Sequence, residues 1–152
     1  MLTKQELEET KKQIKTFFDK TGFKVEISVS LEQETLKIDL KSEEPQVLIG
    51  EQGKVLISIQ KLLKAILNKS LEKIFYVDVD INDYKKKKIQ YLKETAKKIG
   101  DEVALSRKEK ALPPMPAYER RVIHLELADR KDITTQSIGK EPDRRLVIKP
   151  YP

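Results

Sequence analysis

The chain has 152 residues with no cysteine and one histidine, and 37% of its residues are charged. Without cysteine it cannot form disulfides or thiolate metal sites, which fits a reducing cytoplasm. No apolar run approaches the roughly 20 residues of a membrane span, and the first residues lack the apolar core of a signal peptide. We therefore expect a cytoplasmic protein that does not contact a membrane.

The net charge of +6 is unevenly distributed along the chain. Residues 1–80 carry 13 Lys and Arg against 14 Asp and Glu, a net charge of −1. Residues 81–152 carry 18 against 11, a net charge of +7. This asymmetry predicts that a polyanion contacts mainly the C-terminal half.

The first half of the chain is predicted to fold in the order helix, strand, strand, helix, helix, strand. Thr3 is expected to cap the first helix in a capping box with Glu6, and Gly22 to end it. Hydrophobic periodicity and turn residues place these elements at 2–19, 23–29, 36–40, 45–49, 54–68 and 74–80, the last strand opening with Ile74.

The helix at 54–68 is strongly periodic. Its core face is predicted from the apolar positions Val55, Ile59, Leu62, Leu63 and Ile66. Ile57 lies roughly opposite that stripe and is expected to face outwards.

The second half begins at Asn82-Asp83, so we predict domains over 1–82 and 83–152. A long helix is expected over 83–107, with its core at Ile89, Leu92, Ala96, Ile99 and Val103 and with Gly100 inside it at some cost. A short strand at 111–112, a helix from a Pro-rich segment to about residue 129, and strands at 133–137 and 144–149 complete the chain.

Two glycines separate the short helix from the long helix of the first half. Gly50 and Gly53 let the backbone turn tightly and approach a sugar-phosphate chain, while Lys54 opens a helix whose N-terminal dipole favours phosphate. Glu51 and Gln52 stand between the glycines. A lone Gly-x-x-Gly is common, so its specificity here comes from its place in the complete element order.

The only histidine follows an arginine by four positions on the predicted helix of the second half. Arg120 and His124 are therefore neighbours on one helix face. Tyr118, Val122 and Leu125 are predicted to form the core stripe on a different side, so that both polar side chains point away from the core.

The αββααβ order with its glycine loop resembles a type II KH domain. The resemblance implies a three-stranded sheet with helices on one face and a loop that clamps about four nucleotides. KH loops usually carry a basic residue between the glycines, where this chain has Glu51 and Gln52. The loop is thus either a weakened nucleic-acid clamp or part of a KH fold kept for protein contacts, and Ile57 fits either a groove under the bases or a dimer interface.

The second half resembles the R-three-H domain, a small α+β module with a short three-stranded sheet that binds single-stranded nucleic acid. The match rests on the Arg120-x-x-x-His124 motif and on flanking segments at 112–115, 118–121, 134–139 and 144–148. A KH domain followed by this module is typical of the bacterial Jag (SpoIIIJ-associated) family. We expect the chain to lack the additional N-terminal Jag domain that many members carry.

The resemblance implies that Arg120 and His124 are the principal nucleic-acid contacts. Arg121 and Arg144 or Arg145 are implied as flanking phosphate ligands. Arginine offers phosphate a bidentate fork, and a neutral imidazole can stack on a base or donate one hydrogen bond. In the alternative interpretation, Arg120 braces a carboxylate and His124 caps the sheet.

Catalysis has little support in the sequence. One histidine offers no partner for a metal triad or a phosphodiesterase pair, and no nucleotide-binding fingerprint occurs. We therefore expect an α+β protein without enzymatic activity, metal or cofactor that binds single-stranded RNA, or single-stranded DNA. The alternative is an interaction scaffold whose KH half forms a homodimer or pairs with a small KH-only protein.

Overall fold

The computed structural model describes residues 2–73 and 75–152 of the chain. These residues form two compact units, the first ending at Lys85 and the second running Lys86–Pro152. Ile74, predicted to open the last strand of the first half, lies outside the described residues. Among the helices that are described, none is both long enough and apolar enough to cross a membrane.

The first unit follows the predicted element order. Its elements are α1 (Lys4–Thr21), β1 (Val25–Glu32), β2 (Thr35–Ser42), α2 (Pro45–Ile49), a 3₁₀ turn (Glu51–Gly53), α3 (Lys54–Leu71) and β3 (Tyr76–Ile81). The sheet has the order β1-β2-β3, with β1 antiparallel and β3 parallel to β2. Apolar side chains of one sheet face form the core with α1 and α3, including Leu36, Ile38, Leu40, Ile14 and Phe18.

The capping residues of α1 are as predicted, although the helix spans Lys4–Thr21 and not 2–19. The Thr3 hydroxyl accepts a hydrogen bond from the Glu6 N–H at 3.1 Å, and the Thr3 N–H donates to Glu6 Oε2 at 2.7 Å. Gly22 ends the helix with a φ of +81°, which glycine adopts readily. A hydrogen bond from Lys73, with the one from Thr3, lowers the pKa of Glu6 to about 2. The Glu6 carboxylate of this capping box therefore stays ionised at a lower pH than an ordinary glutamate does.

The predicted core face of α3 is wrong at three positions. The buried apolar residues are Leu56, Ile59, Leu63 and Leu67. The side chains expected in the core are instead exposed, namely Val55 by 40%, Leu62 by 53% and Ile66 by 40%. The buried stripe is shifted by about one residue, or 100° around the helix, because the segment carries two overlapping apolar stripes.

The second unit begins within a long helix. Its elements are α4 (Tyr84–Ser106, which starts in the first unit), β4 (Lys110–Ala111), α5 (Ala117–Leu127), β5 (Ile133–Ile138) and β6 (Arg145–Pro150). The three strands are antiparallel in the order β4-β6-β5, so β5 is an edge strand. Together with the first unit, this gives the predicted α+β class with two three-stranded sheets.

Gly100 has a packing role on the core face of α4. Leu92, Ala96 and Val103 are buried on that face as predicted. A Cβ at Gly100 would lie 3.0 Å from atoms of both Arg130 and Ile133. The missing side chain therefore lets the chain after α5 approach α4, which offsets the low helix propensity of glycine.

The predicted core stripe of α5 is also wrong. The residues of α5 that are buried are Glu119, Arg120, Ile123 and Leu127. Tyr118 and Leu125 are exposed by 51% and 59%, and Val122 is only half-buried. The helix is thus rotated relative to the prediction, and Arg120 lies on its inner side.

Candidate nucleic-acid interface

The Gly-x-x-Gly loop has a backbone conformation that depends on its glycines. Gly50 has a φ of +74° with a ψ of 178°, and Gly53 has a φ of +76°. Gln52 between them also has a positive φ, +54°. Three positive φ values in four residues fold the chain back sharply between α2 and α3.

Neighbouring side chains also leave little room for a Cβ atom at either glycine. A Cβ at Gly50 would lie 2.4 Å from Cγ2 of Val55, and one at Gly53 would lie 3.2 Å from the Tyr84 ring. The Tyr84 ring therefore packs against Gly53 of the loop. No local pattern predicts this contact, because Tyr84 is far from the loop along the chain.

Polar and charged groups cover the outer surface of the loop. Glu51, Gln52 and Lys54 are all exposed. Among the described residues, no side chain caps the first N–H groups of α3. These donors and Lys54 attract phosphate, whereas Glu51 repels it.

Arg120 holds two loops of the second unit together. Its side chain is only 10% exposed, and its Nη1 donates to the carbonyl of Met115 at 2.7 Å and to Glu141 Oε1 at 3.2 Å. The expectation that it points away from the core is therefore wrong, because backbone and carboxylate acceptors satisfy the guanidinium on the inner side of the helix. The ion pair matches the alternative in which Arg120 braces a carboxylate.

Arg144 contacts the segment around Met115, as Arg120 does. Its Nε donates to the Ser137 hydroxyl at 3.1 Å and its Nη1 to the carbonyl of Gly139 at 3.2 Å. Its own carbonyl accepts from the Met115 N–H at 3.2 Å. Arg144 is half-buried, so part of its donor edge is committed within the chain.

His124 lies at the exposed margin between α5 and β5. Its Nδ1 is 2.6 Å from the Thr135 hydroxyl oxygen. When that hydroxyl donates to Nδ1, the neutral ring carries its proton on Nε2, which suits a phosphate or base acceptor. A groove of about 510 Å³ runs beside the ring, and its lining includes Lys131 and Tyr151. His124 is thus accessible, unlike Arg120.

The two remaining predicted arginines differ in their bonding. Arg145 is half-buried, and its Nε donates to the Asp143 carbonyl at 3.3 Å. Arg121 is exposed, and within the described residues it has no hydrogen bond or ion pair. Of the four arginines at these positions, Arg121 therefore keeps the most donor capacity for an external anion.

One lysine of the basic run at 85–88 is held within the chain. Lys85 Nζ lies 2.6 Å from Asp78 Oδ1 and 2.8 Å from Gln60 Oε1, and Lys37 Nζ lies 2.8 Å from Asp78 Oδ2. Burial raises the pKa of Asp78, but these two lysine hydrogen bonds outweigh it and hold the pKa below its usual range. Lys85 is therefore an ion-pair partner within the first unit. Across residues 2–73 and 75–152, no cluster of three or more His, Asp or Glu side chains could hold a metal ion.

Comparison with known families agrees with these two units. A family model of the KhpA/KhpB KH domain matches residues 8–81, and a model of the R-three-H domain matches residues 90–150. Each unit thus matches one family model, the first unit that of a KH domain and the second unit that of the R-three-H domain. The resemblance to KH–R-three-H proteins of the Jag type is thereby confirmed, and the glycine loop and the Arg120/His124 helix of this chain lie within the matched segments.

Curated relatives match most of this chain. RNA-binding protein KhpB of Clostridium symbiosum is 34% identical over 86% of this chain and 60% of its own length. The proteins of the same name from Lactiplantibacillus plantarum and Bacillus subtilis are each 29% identical, over 84% and 93% of this chain and 39% and 69% of their own lengths. The chain thus spans less than two thirds of the first two of these relatives.

Proposed function

We propose that this chain binds single-stranded RNA in the bacterial cytoplasm without catalysing a reaction. The observation that carries the proposal is the exposed cationic margin of α5, where Arg121 and His124 lie in a unit whose residues 86–152 have a net charge of +7. Phosphates are attracted by such a surface, and unstacked bases can contact an accessible imidazole. The printed names of the bacterial relatives support RNA as the ligand.

The predicted site residues take different parts in this proposal. His124 and Arg121 contact the strand directly, and Arg144 and Arg145 add phosphate contacts through the donors that the chain leaves uncommitted. Arg120 contributes its small exposed edge and positions the loops around Met115 and Glu141. The Gly50–Gly53 backbone and Lys54 give a second, weaker contact in the first unit.

A salt titration of RNA affinity tests the proposal. Three phosphate contacts, for example from Arg121, Arg144 and Lys54, predict a slope of about −2 for log K against log salt, at ~0.7 per phosphate on a single strand. Arg121→Ala is expected to make the slope shallower by about 0.7, because one phosphate contact is lost. His124→Ala is expected to lower the affinity through a lost base contact. A flat salt dependence in wild-type protein would contradict the proposal.

Replacing Glu51 with lysine is expected to strengthen RNA binding by about 1 kcal/mol at low salt, because a like charge near the phosphates is replaced by an opposite one. Filter binding at two salt concentrations measures the gain, which should shrink as salt increases. Glu43→Lys, an equal charge change at another exposed position of the first unit, serves as the control. If both variants gain equally, the effect is one of net charge and the loop does not face RNA.

A second candidate function is supported by the exposed apolar row of α3. Val55, Leu62 and Ile66 are each at least 40% exposed on one helix face, and such a row is suited to pairing with a second copy or with a small KH-only protein. Sedimentation at increasing protein concentration tests this candidate. A monomer throughout, with RNA affinity that is insensitive to Leu62→Gln, would leave RNA binding as the better function.

A further inference from the structure

We propose that the outer face of α5 is a stacking platform for an unpaired nucleobase, with the ring of Tyr118 as its contact surface. This inference rests on the proposed RNA-binding function and adds to it a base-contacting residue on α5. It is carried by the exposure of Tyr118, Arg121 and Leu125 on the side of the helix that faces away from the core.

The rotation of α5 brings these three side chains together. Ile123 and Leu127 face the core, and at 100° per residue the centre of the opposite side falls at Leu125, with Tyr118 about 20° to one side of it and Arg121 about 40° to the other. Tyr118 and Leu125 are 51% and 59% exposed, although both are large and apolar. An exposed aromatic ring beside an exposed aliphatic side chain provides an apolar surface that a partner outside the chain can contact.

Charge on this face favours a nucleic acid as that partner. Arg121 lies one turn from both Tyr118 and Leu125, and the positions three and four residues away from it are Ala117, Tyr118, His124 and Leu125, none of them acidic. Glu119 is buried, and Glu126 is paired with Lys97 at 3.2 Å. The platform is therefore cationic over the first two turns of α5. The carboxylate of Asp129 lies one turn beyond Leu125, after the end of the helix.

The chemistry of the three side chains fits an unpaired base. An aromatic ring stacks on a base, and an adjacent guanidinium can bind its phosphate or stack on the next base. The Tyr118 hydroxyl donates to Glu119 Oε1 at 3.3 Å, a contact that restricts the ring while leaving half of the side chain exposed. A duplex, whose bases are already stacked and paired, offers no free base face to this ring.

The test uses the full chain and compares a short single-stranded RNA with inorganic polyphosphate, a polyanion without bases. Tyr118→Ala is expected to weaken RNA binding about tenfold and to leave polyphosphate binding unchanged. Tyr91→Ala, which removes an exposed ring from α4, is the control and should change neither affinity. An equal loss for both ligands, or unchanged RNA affinity in a folded Tyr118→Ala protein, would overturn the platform.

A fluorescence measurement covers the case in which the alanine variant does not fold. The chain has no tryptophan, so Tyr118→Trp introduces a single indole that retains the stacking surface. Its emission should be quenched by single-stranded RNA, but not by the duplex of the same sequence or by polyphosphate, and the indole of Tyr91→Trp should not respond. If RNA binds without quenching, the platform is wrong and a protein partner becomes the better occupant; if wild-type protein binds no RNA, the proposed function fails as well.

Discussion

Replacing Arg120 with alanine is expected to lower the free energy of unfolding of the second unit by about 2–3 kcal/mol and to weaken RNA binding at the same time. The Arg120 side chain is 10% exposed and donates to the Met115 carbonyl and to Glu141. Its removal leaves a carbonyl without its donor, leaves an empty volume beside the core, and releases two loops. The partner Glu141 is 63% exposed, so the ion pair itself contributes little of this loss.

Thermal or urea unfolding combined with amide hydrogen exchange measures the effect of Arg120→Ala. Exchange is needed because the two units can unfold separately, and the Met115 amide, which donates to Arg144, should lose protection first. Arg121→Ala is the control, since this neighbouring arginine is exposed and should lose RNA affinity without loss of stability. Wild-type stability in Arg120→Ala with reduced affinity would instead make Arg120 a direct contact only.

Replacing Gly50 with alanine is expected to destabilise the first unit by about 2–4 kcal/mol and to weaken any RNA contact of the glycine loop. Two independent costs act at this position. The backbone angles of +74° and 178° are available almost only to glycine, and the new Cβ would lie 2.4 Å from Cγ2 of Val55. Val55 is fixed in the first turn of α3, so relieving the clash requires the loop to move.

Gly22→Ala is the reference for a positive φ without a steric contact. Gly22 has a similar φ of +81°, but an added Cβ would meet no atom within 4 Å, so only the backbone cost of about 1 kcal/mol remains. Urea unfolding of both variants gives the additional cost at Gly50, which combines the steric clash with a ψ of 178° that Gly22, at −3°, does not share. Equal destabilisation of the two proteins would show that the contact with Val55 relaxes freely and that the loop is not rigidly held.

The two errors in the predicted core have the same origin. In α3, the residues Val55, Ile59, Leu62 and Ile66 form one apolar stripe, and Leu56, Ile59, Leu63 and Leu67 form another about 100° away. Both stripes have helical spacing, so periodicity predicts the helix but cannot select its buried face. The choice depends on which face meets the sheet, and this is a property of the packed unit.

The same ambiguity had a larger consequence in α5, because the face that is buried carries Arg120, a predicted site residue. The stripe of Tyr118, Val122 and Leu125 is as regular as the buried pair of Ile123 and Leu127. Placing an arginine on the inner face looked unfavourable from the sequence. It is tolerated because the Met115 carbonyl and Glu141, which lie outside the helix, supply acceptors.

Local sequence signals by themselves determined the elements, their order, and the position of the two motifs. The Thr3/Glu6 capping box, the Gly22 stop, the strand alternation and the glycine loop depend on neighbours within a few residues, so they can be predicted without knowledge of the rest of the chain. His124 is exposed as expected, although the core stripe from which that expectation was derived is wrong. Only the tertiary structure decided that Arg120 is buried, that Tyr84 supports Gly53, and that Tyr118 and Leu125 face outwards. Each of these features depends on contacts between segments that are far apart in sequence. The free energy of burying a helix face comes from those contacts and not from the helix itself.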